Sequence, residues 1–469
     1  MEGLPLRGVG RPRDEHAARR TRVLRQRLEA ARSEVAEWEC RWTERDLSEQ
    51  ARSDRLLLGL LFYGQSLRSA AECLRLAFPE WALSKSGIEV HLKSVCAQAE
   101  TLFQRYFQGQ GRSAACDEIY LSGHPTLEVV EPRSLAITGI QPDTEPTEEA
   151  WLQLLGAFQD LESAASDQGK GVSAALAHTL QRVSLDIWHL LRHFAAAVGR
   201  LETHAYDRIQ DEEDKVTAFV AALPAPPGPT LPPALHRLEE AEKKCVWAIQ
   251  RYDAAQTVLG WLYEAVKPVD VQGRVRTREQ IQGDWEAALD LIDSIDAEEL
   301  YKLEKKLRGK VTGAHAVDLS ARLIAVSLPP GWQAAERDEL QRLVCQAWYY
   351  HHRQQTHILQ APKLAAATVA ARLGLAFTAE HLEPYCCAVF EVLDRTLIAS
   401  SAVECVNSII RLRQGGKRHP YPGFVYLLAW LHNTRPFAEG RRKGLTPAQI
   451  LGVELPADGW DMLLGNLAA

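Results

Sequence analysis

The periodicity of hydrophobic positions changes near residue 112 and separates helical segments from a region of short strands. Apolar runs at 115–121, 127–132 and 134–140 are separated by Gly-His-Pro and Glu-Pro-Arg. Short runs between turn residues predict a β-meander. The amphipathic stretch 149–158 predicts a helix. The run ending in Ser-Asp-Gln-Gly-Lys-Gly at 166–171 predicts a strand end, a glycine-rich turn and a second helix.

The segment before the meander has a helical pattern. Residues 53–102 predict three helices, over 55–63, 67–78 and from 85 to about 103, with Ser66 and Ser84 as N-caps. Short turns between such helices are typical of a helix-turn-helix, whose third helix would offer Lys85 and Lys93 to DNA. The same pattern also fits a plain three-helix packing unit.

The first 50 residues contain a basic arm and a heptad pattern. In the arm, Gly-Arg-Pro-Arg at 10–13 places Arg11 and Arg13 where they could enter a DNA minor groove, or it is simply a disordered start. Apolar residues then alternate spacings of four and three from Leu24 to Trp42. This seam predicts a short coiled-coil helix, which would join two protomers or pack on its own chain.

Residues from about 195 to 397 are rich in Ala, Leu and Glu and predict helices throughout. The proline-rich run 223–233 predicts an extended connector within them. Trp residues at helical spacing, including Trp247, Trp261 and Trp285, predict core positions.

Composition indicates an ordinary soluble protein with more than one domain. The chain has 469 residues, of which 46% are hydrophobic and 25% charged. Its nine cysteines form no paired-spacing framework, which favours free thiols in a reducing compartment. Signal-peptide and membrane-spanning patterns are missing, so we expect a cytoplasmic, nucleoid-associated protein.

The net charge of −7 argues against DNA binding until the charges are located. Residues 1–27 hold eight Arg, and residues 411–443 hold eight basic residues against Glu439 alone. Nucleic-acid binding depends on local fields rather than on net charge. In the second cluster, Lys417, Arg418 and Arg435 would contact DNA phosphates or form only a basic surface patch.

Three stretches resemble bacterial insertion-sequence transposases of the DDE class. These are DEIYLSGHPTLEVVEPRSLAITG at 117–139, SDQGKG at 166–171, and SSAVECVNSIIR at 400–411 followed by HNTRPFAEGRRKGLTPAQILG at 432–452. The resemblance covers roughly 50–200 and 395–465. It implies an α/β ribonuclease-H-like core with a mixed sheet, an N-terminal all-α helix-turn-helix region and a large all-α insertion.

The resemblance assigns Asp117 on the first strand, Asp167 at the end of the fourth and Glu404 on a late helix as catalytic metal ligands. It implies Mg²⁺, with Mn²⁺ as a substitute. Asp117 would bridge two ions, while Asp167 and Glu404 would each hold one. Glu118 is the rival of Asp117, because adjacent strand residues point to opposite faces. Asp167 is alternatively a helix cap. Glu391 and Asp394 are rivals of Glu404, but only Glu404 lies in the Ser-Ser-Ala-Val-Glu-Cys-Val-Asn stretch that carries the resemblance.

Three further residues are candidates for supporting the metal ligands. Asp186 and His189 match an apolar strand that follows the second acid in the family, or they are satisfied polar groups at a strand end. Asn407 would share a helix face with Glu404, three residues earlier.

The predicted organisation is a basic arm and coiled-coil helix (1–50), a helix-turn-helix-like domain (51–108), the first part of the core (112–195), a helical insertion (196–397) and the rest of the core (398–469). The implied function is DNA transposition, with double-stranded DNA (element ends and target) as partner and a homodimer as the active form. The alternatives are a decayed, non-catalytic DNA-binding relative and a nuclease on the same fold.

Overall fold

The computed structural model describes ten stretches of the chain: 49–63, 65–79, 83–121, 123–167, 169–180, 182–223, 231–374, 379–396, 401–413 and 422–464. They form two compact units, one up to Ser94 together with the residues from Trp460 onward, the other Val95–Gly459. The arm with Arg11 and Arg13, the heptad seam, and Lys417 and Arg418 lie outside the described residues.

Helices α1 (Glu49–Phe62), α2 (Leu67–Ala77) and α3 (Lys85–Tyr106) confirm the three predicted helices. The two predicted caps are also confirmed, because Ser66 Oγ accepts from Ser69 N at 3.0 Å and Ser84 Oγ accepts from Gly87 N at 3.1 Å. Both lysines of the predicted recognition surface, Lys85 and Lys93, are exposed. Lys93 is 3.5 Å from Glu89 on the same helix, and DNA contact by this surface stays a prediction.

The second unit contains a five-stranded mixed sheet in the order β3-β2-β1-β4-β5. Strands β1 (Ser113–Leu121), β2 (His124–Glu131) and β3 (Ala136–Pro142) form the predicted antiparallel meander. Strands β4 (Ser163–Ser166) and β5 (Arg182–Leu185) lie parallel to β1. The chain is therefore α/β, and the prediction of a mixed sheet is confirmed.

Helices cover both faces of this sheet. On one face, α4 (Glu148–Leu155) and α5 (Lys170–Thr179) bury an apolar layer against β1, β2 and β4. On the other face, α14 (Ser401–Arg413) packs over β1 and β2. Helix α15 (Gly423–Thr434) packs on the edge strand β3. Asn433 of α15 fixes this contact, since it accepts from Ile137 N at 2.8 Å and donates to Ile137 O at 2.7 Å.

Residues 182–190 do not form one continuous strand carrying Asp186 and His189, which is what we expected of this apolar run. Strand β5 ends at Leu185, Asp186 follows it, and α6 (Ile187–Ala222) already contains His189. The cause is local, because Asp186 caps this helix: its Oδ1 accepts from His189 N at 3.3 Å. Asp186 and His189 therefore lie at a strand-to-helix junction.

The described residues from α6 to Asp394 form helices joined by loops, as predicted, and have two apolar cores. The predicted connector is wrong at its end, because α7 begins at Leu231 and includes two prolines in its first turn, where proline is tolerated. Trp285 is buried as expected, but Trp247 and Trp261 are exposed. The helices are α7 (Leu231–Ala265), α8 (Arg278–Asp290), α9 (Glu298–Leu307), α10 (Leu319–Ile324), α11 (Arg337–Arg353), α12 (Ala361–Arg372) and α13 (Ala379–Asp394).

Two short helices complete the described chain, α16 (Pro447–Leu451) and α17 (Gly459–Leu463). Thr446 caps α16, because its Oγ1 accepts from Gln449 N at 3.0 Å.

Candidate metal centre

Four carboxylates form one row across the sheet. Asp117 on β1 is the cross-strand partner of Glu128 on β2. On the other side, Cys116, Ser166 and Leu185 are in register, so the residues that follow them, Asp117, Asp167 and Asp186, continue the same row. Residues in register point to the same face, so these acids lie on the face that α14 covers.

Asp117 lies at the centre of this row and is almost completely buried. Its Oδ1 accepts from Glu118 N at 2.9 Å, and its Oδ2 accepts from Asn407 Nδ2 at 2.9 Å. Each carboxylate oxygen therefore has one hydrogen bond and one further lone pair. This leaves Asp117 able to bind a cation through either oxygen.

Asp167 follows β4 directly and is held by the turn after it. Its Oδ1 accepts from Gly169 N at 2.8 Å, so Asp167 orders the turn before α5. A Cβ on Gly171 would lie 2.2 Å from the Pro146 carbonyl oxygen. Glycine is required there because the first turn of α5 passes directly against the chain before α4.

Glu118 also reaches the centre, contrary to the expectation from strand alternation. One carboxylate oxygen from each of Asp117, Glu118 and Asp167 lies within 4.8 Å of the other two. Glu118 begins on the opposite face, but its side chain is long enough to reach Asp167, which lies beyond the end of β4. The pattern of a strand predicts the face of a Cβ atom, and it does not predict where a flexible carboxylate ends.

Helix α14 supplies Glu404 and Asn407 from above the sheet. Val403, Val406 and Ile410 are buried and hold the helix against β1 and β2. Glu404 lies in the first turn, and its charge is close enough to raise the pKa of Asp117. The predicted shared face is confirmed, because Asn407 reaches Asp117 from the same helix.

His189 connects Glu404 to the row of acids. Its Nδ1 is 2.6 Å from Asp186 Oδ2, and its Nε2 is 3.3 Å from Glu404 Oε1. The hydrogen bond with Asp186 is the main cause of the raised pKa of His189. Asp186 therefore favours the protonated form of the His189 ring, and this positive ring orients the Glu404 carboxylate. Arg411 Nη1 lies 4.0 Å from the other oxygen of Glu404.

Burial and like charges raise the pKa values of several of these acids. Burial raises the pKa of Asp117 to about 7, and Asp167, Glu404 and Glu118 add to the effect. Burial, followed by the charge of Asp167, also raises the pKa of Glu118. Carboxylates crowded in this way repel one another unless protons or cations neutralise them.

These carboxylate groups are suitable ligands for divalent cations that prefer oxygen. Asp117, Glu118 and Asp167 offer carboxylate oxygens at distances that one ion spans, and Glu404 approaches from α14. Hard ions such as Mg²⁺ and Mn²⁺ take carboxylate ligands and retain water. His189 is already engaged with two carboxylates, so we assign it an orienting role.

The remaining residues that the sequence suggested as ligands or DNA contacts are not part of this centre or lie outside the described residues. Asp394, a rival of Glu404 by position, accepts from Trp348 Nε1 at 2.8 Å. Glu391, the other rival, is paired with Arg395 one turn later in the chain. Arg435 follows α15 and is half-buried. The assignment of Arg435 to DNA contact stays a prediction.

Sequence reasoning missed Glu128. Asp117 and Glu128 belong to adjacent strands of a predicted hairpin, and counting outward from the turn at Gly123 pairs them. The hairpin register was therefore the signal that could have identified this residue.

Gly169→Ala tests how closely the turn fits the centre. A Cβ at this position would lie 2.9 Å from Asp167 Oδ1, so this carboxylate would have to move, and 3.1 Å from Val172 Cγ1, which would have to give slightly. Its distance to Glu118 Oε2 would be 3.4 Å, an ordinary contact. We expect about a tenfold loss of Mn²⁺ affinity by calorimetry with little change in thermal stability. The control is Gly199→Ala in α6, where the added methyl group meets nothing within 4 Å. Unchanged affinity in Gly169→Ala would show that the turn does not position these ligands.

Comparison with protein families, curated proteins and solved structures finds no match to this chain. Among the described helices, none combines the length and apolar character needed to cross a membrane. The function is therefore inferred from the residues and geometry of the centre.

Proposed function

We propose that this chain is a DNA transposase that uses two divalent metal ions to cut the ends of a mobile element and join them to target DNA. The observation that carries the proposal is the close approach of the Asp117 and Asp167 carboxylates on the sheet face that α14 covers, with Glu404 on that helix near enough to raise the pKa of Asp117. Their positions on a first strand, at the end of a fourth strand and on a late helix are those of the DDE layout on a ribonuclease-H-like core.

The centre supports phosphodiester chemistry through its arrangement of oxygen ligands. Two Mg²⁺ ions bound there would activate the attacking oxygen and stabilise the leaving oxygen of an in-line displacement. Asp117, with one free lone pair on each carboxylate oxygen, is suited to bridge both ions. Asp167 and Glu404 lie on different elements and would each hold one ion.

The surrounding residues keep these ligands in place. Asn407 holds Asp117 from the same helix that carries Glu404, so docking of α14 sets both side chains together. The Asp186–His189 pair orients Glu404 from the other side. Hydrogen-bonded supports of this kind fix the geometry of metal ligands.

The test begins with the DNA that flanks the gene. We expect imperfect inverted repeats just outside the coding region, bordered by short direct duplications. Oligonucleotides with these repeats should be cut by the purified full chain only when Mg²⁺ or Mn²⁺ is present, and the freed 3′-hydroxyl should be joined to a second duplex.

The products separate the competing functions. Cut products without joined ones would indicate a nuclease with the same centre. A lack of cutting on both repeat-containing and arbitrary DNA would contradict the proposal and favour a DNA-binding relative without catalysis.

A further inference from the structure

Glu128 is a carboxylate beside the centre that the two-ion scheme does not use. It lies in the middle of β2 with 0% of its surface exposed, and it is the cross-strand partner of Asp117. Such partners project to the same face with Cβ atoms about 5 Å apart. Because β2 and β4 flank β1 on opposite sides, Glu128 faces Asp117 from the side opposite Asp167.

Glu128 has no hydrogen-bond donor in the part of the chain that the structure describes. Within the described residues, neither of its carboxylate oxygens has a hydrogen-bond partner. The same holds for Oδ1 of Asn407, which is also completely buried and whose Nδ2 donates to Asp117. Buried polar atoms without partners are rare and strongly unfavourable. Three buried acceptor oxygens near Asp117 therefore lack a hydrogen-bond partner among the described residues.

The nearby cation does not neutralise this charge. Arg411 attracts the ionised form of Glu128, but its side chain is 53% exposed and also lies 4.0 Å from Glu404. The protein thus holds a completely buried carboxylate beside Asp117 that an added positive charge would stabilise.

We propose that Glu128 belongs to the metal centre, where its buried charge strengthens the binding of a divalent cation at Asp117 and lowers the stability of the cation-free protein. The effect is electrostatic: the charge that repels Asp117 in the empty centre attracts the ion in the loaded centre. The inference rests on the cation-binding part of the proposed function and is independent of the DNA chemistry.

Glu128→Gln tests the inference because it keeps the size of the side chain and removes the charge. In a chelating buffer near pH 9, where the carboxylates of the centre are ionised, we expect a higher thermal midpoint than for the wild type. Calorimetric titration should show about a tenfold weaker affinity for Mn²⁺. The rise in thermal midpoint on adding Mn²⁺ should shrink accordingly. Glu128→Met, an apolar variant of similar length, should behave in the same way.

Glu131→Gln is the matched control. Glu131 is also buried on β2, but its carboxylate accepts from Ser134 N at 2.7 Å and Arg133 N at 3.1 Å. Removing that charge should lower the thermal midpoint and leave the Mn²⁺ affinity unchanged.

The outcomes separate this inference from the proposed function. Equal Mn²⁺ affinity in the wild type and both Glu128 variants would overturn the inference, while the proposed function would stand. A wild-type protein that binds no Mn²⁺ would overturn both.

Discussion

Asp167→Asn is expected to reduce Mg²⁺-dependent DNA cleavage to below about one hundredth of the wild-type rate. Loss of residues that only support metal ligands already costs about 10- to 100-fold, and Asp167 is assigned as a ligand itself. The amide keeps the shape of the side chain and can still accept the hydrogen bond from Gly169 N. The change therefore removes a charge from the centre and leaves its turn in place.

The folded state of this variant should survive. Asp167 is the largest source of like-charge repulsion on Asp117, so replacing it relieves the cation-free centre. We expect a thermal midpoint in chelator equal to or above that of the wild type. Lost cleavage together with an undiminished thermal midpoint would show that the variant is folded and that its defect is in the chemistry.

Asp160→Asn is the control for this variant. Asp160 is an exposed acid seven residues earlier, in the loop before β4. We expect wild-type cleavage from it. Cleavage by Asp167→Asn within a few-fold of the wild type would refute the assignment of Asp167 as a metal ligand.

The second large expected effect is on stability: the free energy of unfolding of the cation-free protein should fall as pH rises. The pKa values of Asp117 and Glu128 are raised to about 7 and about 8. An acid with a raised pKa in the folded state binds its proton more tightly there than in the unfolded chain. Its contribution is fully present below the unfolded pKa and is lost as pH rises through the folded pKa. His189, with a raised pKa, acts in the same direction.

Cations should reverse this loss. Mg²⁺ competes with protons for the same oxygens, so its stabilising effect should be small near pH 6 and larger near pH 8. The measurement is the thermal midpoint across this range, with chelator and with saturating Mg²⁺. Burial lowers the pKa of His315 to about 4. This residue therefore destabilises the fold as pH falls, which is the opposite pH dependence.

Asp117→Asn isolates the contribution of the centre. This variant should show a shallower fall in stability with pH and little response to Mg²⁺. An equal rise in thermal midpoint with Mg²⁺ at both ends of the pH range, in the wild type, would contradict the assigned cause.

Much of the local structure follows from the sequence because its signals are local. Turn residues separated the strands of the meander, and Ser66 and Ser84 marked helix starts that the structure confirms. Asp186 shows the limit of this reasoning. An apolar run was interpreted as a long strand, but the cap that Asp186 provides starts a helix within it.

The sequence also selected acids that prove to be neighbours. The local sequence around Asp117, Asp167 and Glu404 singles out these acids, although 50 and 237 residues separate them (167 − 117 and 404 − 167). The fold brings the carboxylates of Asp117 and Asp167 within 4.8 Å of each other and places Glu404 near enough to raise the pKa of Asp117. The local sequence can identify these acids because neighbouring residues form the turn after Asp167 and the apolar face of α14.

Only the tertiary structure decided which further residues complete the centre. Glu128 is a neighbour of Asp117 because of strand register, and Glu118 joins it because a long side chain reaches past the end of β4. Burial is likewise a property of the whole fold, since the covering of the sheet by α14 is what raises the pKa values of its acids. The sequence by itself determined the elements and the chemical groups they carry, whereas packing between distant elements determined their distances, charges and partners.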